Sequence, residues 1–200
     1  MVAHHVDSIE KLINKLIKLP GIGRRSAERI VAYILDSSLE EIRGLAGSIM
    51  KAKEAIRFCR ICNNLSEEEV CKICQDARRR KDLICIVEKP GDVALIEKSA
   101  RFNGTYHVLL GSISPLEGRG PADLKIDNLL SRLKQNNIRE VIIATDADTE
   151  GETTALYLAK LIKPSGIKLT RIGVGIPVGS NLEYSDAATL SKAIESRQEI

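Results

Sequence analysis

Four of the chain's five cysteines fall between Phe58 and Lys81, as Cys59-x2-Cys62, eight intervening residues, then Cys71-x2-Cys74. Each C-x2-C knuckle turns two thiolates toward one point, and four thiolates about a common centre make a closed tetrahedral zinc site. A closed site leaves no position for water, so the expected role of the metal is to brace structure. The competing readings are four unrelated thiols or two disulfides. Two knuckles separated by a polar turn (Asn63, Asn64, Ser66) favour zinc by the spacing rules for cysteine. The element also divides the chain: a helical, basic segment precedes it and a strand–helix alternation follows.

The charge distribution follows the same division. Residues 1–82 carry 16 Lys/Arg against 12 Asp/Glu, and residues 83–200 carry 14 against 15. The excess positive charge therefore lies with the helices and the cysteine element, a modest pointer to nucleic acid. No apolar run approaches a membrane span. The opening residues lack the charged-then-apolar order of a signal peptide. Paired thiols without that signal suit a reducing, cytoplasmic setting. Aromatic residues are 3% of the chain, too few for a sheet that stacks single-stranded bases on aromatic side chains.

Along the chain, Asp7 or Ser8 is expected to cap a first helix with apolar Ile9, Leu12, Ile13, Leu16, Ile17 and Leu19, ended by Pro20. A second helix is expected from Arg24 to about Leu35, with Ala27, Ile30, Val31 and Ile34 inward. Between them lies Pro20-Gly21-Ile22-Gly23. Helix, L-P-G-I-G, helix has the form of a helix-hairpin-helix, whose Gly21 and Gly23 let main-chain N–H groups approach a phosphate. Arg24, Arg25 and Arg29 supply cations, the last two one turn apart. Such contacts read phosphate rather than sequence. The bland alternative is a turn between two core helices with solvated arginines. A third helix, Leu39 to about Phe58, is expected to turn Leu45, Ile49, Ala52 and Ile56 to one face. The run Arg78-Arg79-Arg80-Lys81 reads as a solvated connection or a second phosphate contact.

Leu83–Val87 is an unbroken apolar run, a strand buried on both faces, with Cys85 as a small core residue. Helix Asp92 to about Phe102, strand Tyr106–Leu110, loop 111–121 with an exposed Arg119, helix Asp123 or Asp127 to Gln135, strand Glu140–Thr145, helix Thr153–Ile162 and strand Lys168–Ile172 follow. This alternation implies a parallel sheet with helices on both faces. Glu88 and the cluster Asp146, Asp148, Glu150 lie at carboxyl ends of strands, where such sheets bind ligands. Spacing D-x-D-x-E in an extended loop puts alternate acids on one side, suited to Mg²⁺. The alternative is an acidic cap on the following helix. No G-x4-G-K-[ST] occurs, so no ATP hydrolysis is expected. The apolar, Gly-rich tail from Gly173 to Tyr184, followed by a helix from Asp186 to about Ser196, suggests packing against another subunit or domain.

In this order LPGIGRRSAERIVAYIL, CRICNNLSEEEVCKIC, IVEKPGDVALIE with IIATDADTEGETTALYLA, and TRIGVGIPVGSNLEYSDAATLSKAI resemble the bacterial recombination-mediator family RecR. The resemblance runs from about Ile9 to about Arg197. It implies a multi-part α/β chain: a helix-hairpin-helix region over 1–57, a four-cysteine zinc finger over 58–76, a Toprim domain over 80–175, and an assembly tail over 176–200. It further implies no catalytic activity, a dimer or tetramer ring around DNA, and joint action with RecO and RecF in loading RecA on single strands during RecBC-independent gap repair. DNA contacts would fall on Arg25 and Arg29, zinc on the four knuckle cysteines, and the Toprim acids on Glu88, Asp146 and Asp148. One departure stands out. Many family members read T-N-P where this chain reads Thr145-Asp146-Ala147-Asp148-Thr149-Glu150, nearer to Toprim enzymes. A Mg²⁺-dependent Toprim nuclease is therefore the alternative function, although no tyrosine or other nucleophile is marked.

Overall fold

The computed structural model describes residues 6–135 and 137–197. Residues 1–5 and 198–200, at the ends of the expected 1–57 and 176–200 segments, lie outside the described residues. The chain divides into two compact units, Met1–Ala55 and Ile56–Ile200.

The first unit holds three helices: α1 (Asp7–Leu16), α2 (Arg24–Asp36) and α3 (Leu39–Ala55). Ile13, Ala27 and Val31 form its small core, with Ile9, Leu12, Leu16, Ile17 and Ile22 packed around them. Two boundaries, both of α1, differ from the sequence reading. Val6, not Asp7 or Ser8, stands at the α1 N-cap and makes no side-chain cap bond. The helix stops at Leu16, and turn bonds such as Leu19 N–H to Leu16 O carry the chain into Pro20. Ser38 Oγ accepts Glu41 N–H at 3.2 Å and so serves the start of α3. The apolar positions expected of the third helix are not buried: Leu45 and Ile49 in α3, and Ile56 just past it, are exposed.

The second unit begins with the cysteine element. Strands β1 (Arg57–Phe58) and β2 (Leu65–Ser66) pair antiparallel, and helix α4 (Lys72–Gln75) follows. Phe58 is therefore in a strand rather than the end of α3, because the knuckle's short ladder claims its main chain. Asn63 takes φ of +60° between them, a conformation that Asn tolerates better than most side chains.

The main sheet contains β3 (Leu83–Val87), β4 (Thr105–Val108), β5 (Glu140–Ile143) and β6 (Lys168–Arg171), in the order β4-β3-β5-β6, every pair parallel. Helices α5 (Pro90–Lys98), α6 (Ile126–Gln135) and α7 (Thr149–Ile162) connect the strands, and α8 (Ala187–Glu195) follows in the tail. Alternation along the strands separates two cores. Ile84, Ile86, Val141 and Ile143 face α6 and α7 through Leu129, Leu133, Leu158 and Ile162. Cys85, Val87, Tyr106 and Val108 face α5 through Val93 and Ile96. The expected parallel sheet covered by helices on both faces is what forms. Cys85 is a core residue, its thiol pushed up to about 12 by burial.

Helix starts account for most remaining differences. α5 begins at Pro90, with Asp92 Oδ2 accepting Lys89 N–H at 2.7 Å. α7 begins at Thr149 rather than Thr153, because Asp148 caps it. Asp123 lies in a one-turn 3₁₀ helix ahead of α6 and accepts Gly120 N–H at 2.8 Å. Loop 111–121 is ordered: Ser114 bridges Arg119, Ile113 N–H donates to Thr154 Oγ1, and Arg119 pairs with Glu117. Its arginine is thus half-buried and partnered, not free.

Candidate functional site

The hairpin of the first unit is built by two glycines used differently. Gly21 has φ of +76°, the left-handed region where a side chain is strained. Gly23 is extended and is the N-cap of α2, with no side chain to cap the helix. A Cβ at either position would meet nothing within 4 Å, so the turn stands open. The first intrahelical bond runs from Ala27 N–H to Gly23 O at 2.9 Å. The N–H groups of Arg24, Arg25 and Ser26 point out of the helix start, with the positive end of the helix dipole behind them.

The three hairpin arginines are not equivalent. Arg24 is held by Glu10, at 2.9 and 3.0 Å to its two carboxylate oxygens, and by Glu28 at 3.1 Å. It ties α1 to α2. Arg25 and Arg29 are exposed, and neither has a carboxylate partner among the described residues.

In the second unit the four knuckle sulfurs lie within 4.8 Å of one another. Zn–S bonds of ~2.3 Å place tetrahedral sulfurs about 3.8 Å apart, so the cluster is of the right size. Cys59, Cys62 and Cys71 are buried and Cys74 half-buried. Cys71 N–H donates to Cys59 Sγ at 3.3 Å, and Cys62 and Cys71 sulfurs are 3.5 Å apart. Hydrogen bonds from Cys62 first and Cys74 next hold the Cys71 thiol far below its usual range, while the same contact drives Cys62 up. Four thiols gathered this closely are a donor set that a thiophilic cation fits. Zinc there would draw on Cys59, Cys62, Cys71 and Cys74 and hold two chain segments together. No disulfide joins them.

The knuckle is also fastened to the sheet. Cys62 O accepts Val108 N–H at 2.8 Å, and Asn63 Nδ2 donates to Val108 O at 3.1 Å. The two bonds satisfy the main-chain groups of Val108 on the free side of the edge strand β4. Nothing in the sequence marks Asn63 for this task, because its partner is 45 residues away.

The acidic site takes the arrangement that the sequence reading gives as its alternative, a cap on the following helix. Glu88 is 2% exposed, and its Oε1 accepts Asp146 N–H at 3.0 Å. Burial, first, and then the nearby Asp146 and Asp148 charges raise its pKa, against the lowering effect of the Asp146 N–H bond. Asp148 Oδ1 accepts Gly151 N–H at 2.7 Å and so caps α7. Glu150 is already in the first turn of that helix. The loop is therefore not an extended row of acids on one side. The cap is favoured because it satisfies an orphan helix N–H and places a carboxylate on the positive helix end. Among the described residues, the cysteines are the only group of three or more metal-ligating side chains gathered within that 4.8 Å spread. Lys89 Nζ approaches Asp146 Oδ2 at 3.7 Å. Gly151 is the site residue that the sequence reading missed. A Cβ on it would meet Asp146 O at 2.1 Å and Glu88 Oε1 at 2.9 Å, so the close approach of the loop to α7 requires glycine.

The basic run is engaged within the second unit. Arg78 pairs with Asp76, Arg79 with Glu97, and Arg80 with Asp82. Lys81 Nζ donates to Cys74 O and Asp76 O, both at 2.8 Å.

A phosphate-type helical hairpin, a four-thiol knuckle and a small parallel sheet with acids at its strand ends define a DNA-associated Toprim protein. Family models match each part: the RecR helix-hairpin-helix over residues 9–53, the RecR four-cysteine zinc finger domain over 56–76, the Toprim domain over 82–173 and the RecR C-terminal segment over 175–198. Recombination protein RecR of Pelotomaculum thermopropionicum is 51% identical over 197 residues, 98% of each chain. The proteins of that name from Acidothermus cellulolyticus and Syntrophotalea carbinolica are 50% and 51% identical, over 96% of this chain and 96% and 97% of theirs. The chain belongs to the RecR family of recombination proteins, with a structural zinc finger.

Proposed function

We propose that this protein is a DNA-binding recombination mediator that performs no chemistry itself. In the cytoplasm it acts with RecO and RecF to help place RecA on single-stranded DNA at gaps, binding both double- and single-stranded DNA. The observation that carries the reading is the open start of α2, with Gly21 and Gly23 bare of side chains and Arg25 and Arg29 exposed, without a carboxylate partner among the described residues. Main-chain N–H groups and two cations one turn apart suit successive phosphates of one strand. Arg24 is assigned to holding α1 against α2.

Assembly into a ring-like dimer or tetramer belongs to the same proposal. The tail supports it: Val178, Leu182, Tyr184 and Ile194 are exposed, and α8 buries no side chain of its own. Glu88, Asp146, Asp148 and Glu150 are assigned to a basic group of a partner rather than to Mg²⁺. The support is that Lys89 already places an ammonium beside Asp146, while Asp148 is engaged as a helix cap.

The competing reading is a Mg²⁺-dependent Toprim nuclease, which would need metal-gathered carboxylates and a group to attack or protonate phosphate. Gapped DNA incubated with the protein in Mg²⁺ and in Mn²⁺, assayed for binding and cleavage on the same samples, separates the two. Binding without cleavage is expected. Cleavage abolished by Asp146→Asn would replace the mediator reading with the enzyme.

A further inference from the structure

Beside the knuckle lies an arginine that neither the zinc ligand pattern nor the hairpin accounts for. Arg132 comes from α6, on the face of the sheet opposite α5. Its Nη1 donates to Tyr106 O at 2.5 Å and its Nη2 to Thr105 Oγ1 at 2.8 Å. Tyr106 is two residues before Val108 on β4, so their main-chain groups point to the same side of that strand. That side is the free edge of the sheet, the one to which Cys62 O and Asn63 Nδ2 are bonded. The guanidinium and the knuckle therefore occupy adjacent places along one strand edge, each fixed by hydrogen bonds to it.

The charges of the two are complementary. Four thiolates around one Zn²⁺ make a formally dianionic centre. A buried charge of that kind is costly unless an opposite charge is held close. Arg132 is itself half-buried, a position unfavourable to a cation, and burial lowers its pKa. The sulfurs of Cys74, Cys62, Cys59 and Cys71 act in the other direction and help keep it charged. Lys81 reaches the same knuckle through its carbonyl oxygens from an exposed position, where water screens its charge.

We propose that Arg132 is the internal counter-ion of the zinc–tetrathiolate centre, a positioning residue outside the ligand set that joins the metal electrostatically to strand β4. Groups just outside a metal's ligands typically alter its affinity ~10–100-fold when removed. The arrangement gives the zinc finger a second hold on the sheet, beyond the two bonds to Val108.

The test uses the full chain with Zn²⁺, titrated against a chromophoric chelator at fixed pH, and the Co²⁺-substituted protein read by its thiolate-to-metal absorption. Arg132→Met is expected to weaken Zn²⁺ binding about 10-fold or more and to shift the Co²⁺ charge-transfer band. Arg132→Lys is expected to recover most of the affinity, because it returns the charge without the planar fork. Should Arg132→Met fail to fold, Arg132→Gln against Arg132→Lys decides: Gln keeps a donor for Tyr106 O but carries no charge, so it is the one expected to lose zinc. Unchanged affinity in Arg132→Met, or equal affinity in the Gln and Lys variants, would overturn the proposal and leave Arg132 as a hydrogen-bonding brace of the strand.

Discussion

Single residues decide what the acidic loop can do. Asp146, Asp148 and Glu150 look interchangeable in sequence, yet one is exposed beside Lys89, one caps α7 and one is inside its first turn. Gly151 sets that arrangement, because Thr145 Oγ1 donates to its carbonyl at 2.8 Å and Asp148 accepts its N–H. Two effects compete in Gly151→Ala. Alanine is favoured over glycine in a helix by about 1 kcal/mol. Against this, a Cβ at 2.1 Å from a main-chain oxygen cannot be relieved by rotating a side chain. Overpacking of that kind costs about 1–3 kcal/mol, and with rigid backbone on the other side the upper part of that range is expected. Gly151→Ala is therefore expected to lower the urea midpoint, with a net destabilisation of about 1–2 kcal/mol. A midpoint at or above wild type would show that the loop can move away freely.

Elements differ in how far the sequence reveals them, and the reason is whether their partners are local. β3 is read to the residue because five consecutive apolar side chains are all buried. The four cysteines carry their own geometry, so their cluster follows from spacing alone. α3 forms where its helical spacing places it, but that spacing does not reveal that none of its residues is buried. The two-residue strands β1 and β2 are too short for any periodicity. The Asn63 and Arg132 bonds to β4 are invisible, since they depend on which strand ends at the sheet edge. That edge yields a prediction for the zinc finger as an element. Removing zinc with a chelator should release the knuckle from Val108 and expose unpaired main-chain groups of β4, a template for aggregation. Hydrogen exchange at Val108 N–H is expected to accelerate by orders of magnitude on chelation while β5 in the sheet interior stays protected. Unchanged protection at Val108 would mean that the knuckle keeps its place without metal.

At the scale of the whole molecule, the proposed division of labour is between one unit that meets DNA and another that meets proteins. The positive excess of residues 1–82 divides evenly between the two units, but in the second unit the basic run Arg78–Lys81 is paired with carboxylates or engaged by carbonyl oxygens. The exposed hairpin cations Arg25 and Arg29 remain, and DNA binding is assigned to them. The direct measurement is the affinity for duplex and for single-stranded DNA across a salt series, for wild type and for the Arg25→Ala, Arg29→Ala double variant. Phosphate binding by these arginines predicts weaker association on every sequence tested, and a slope of log affinity against log salt reduced by about 1 for each phosphate no longer neutralised. Wild-type affinity and slope in the double variant would contradict that assignment and move DNA binding away from the hairpin.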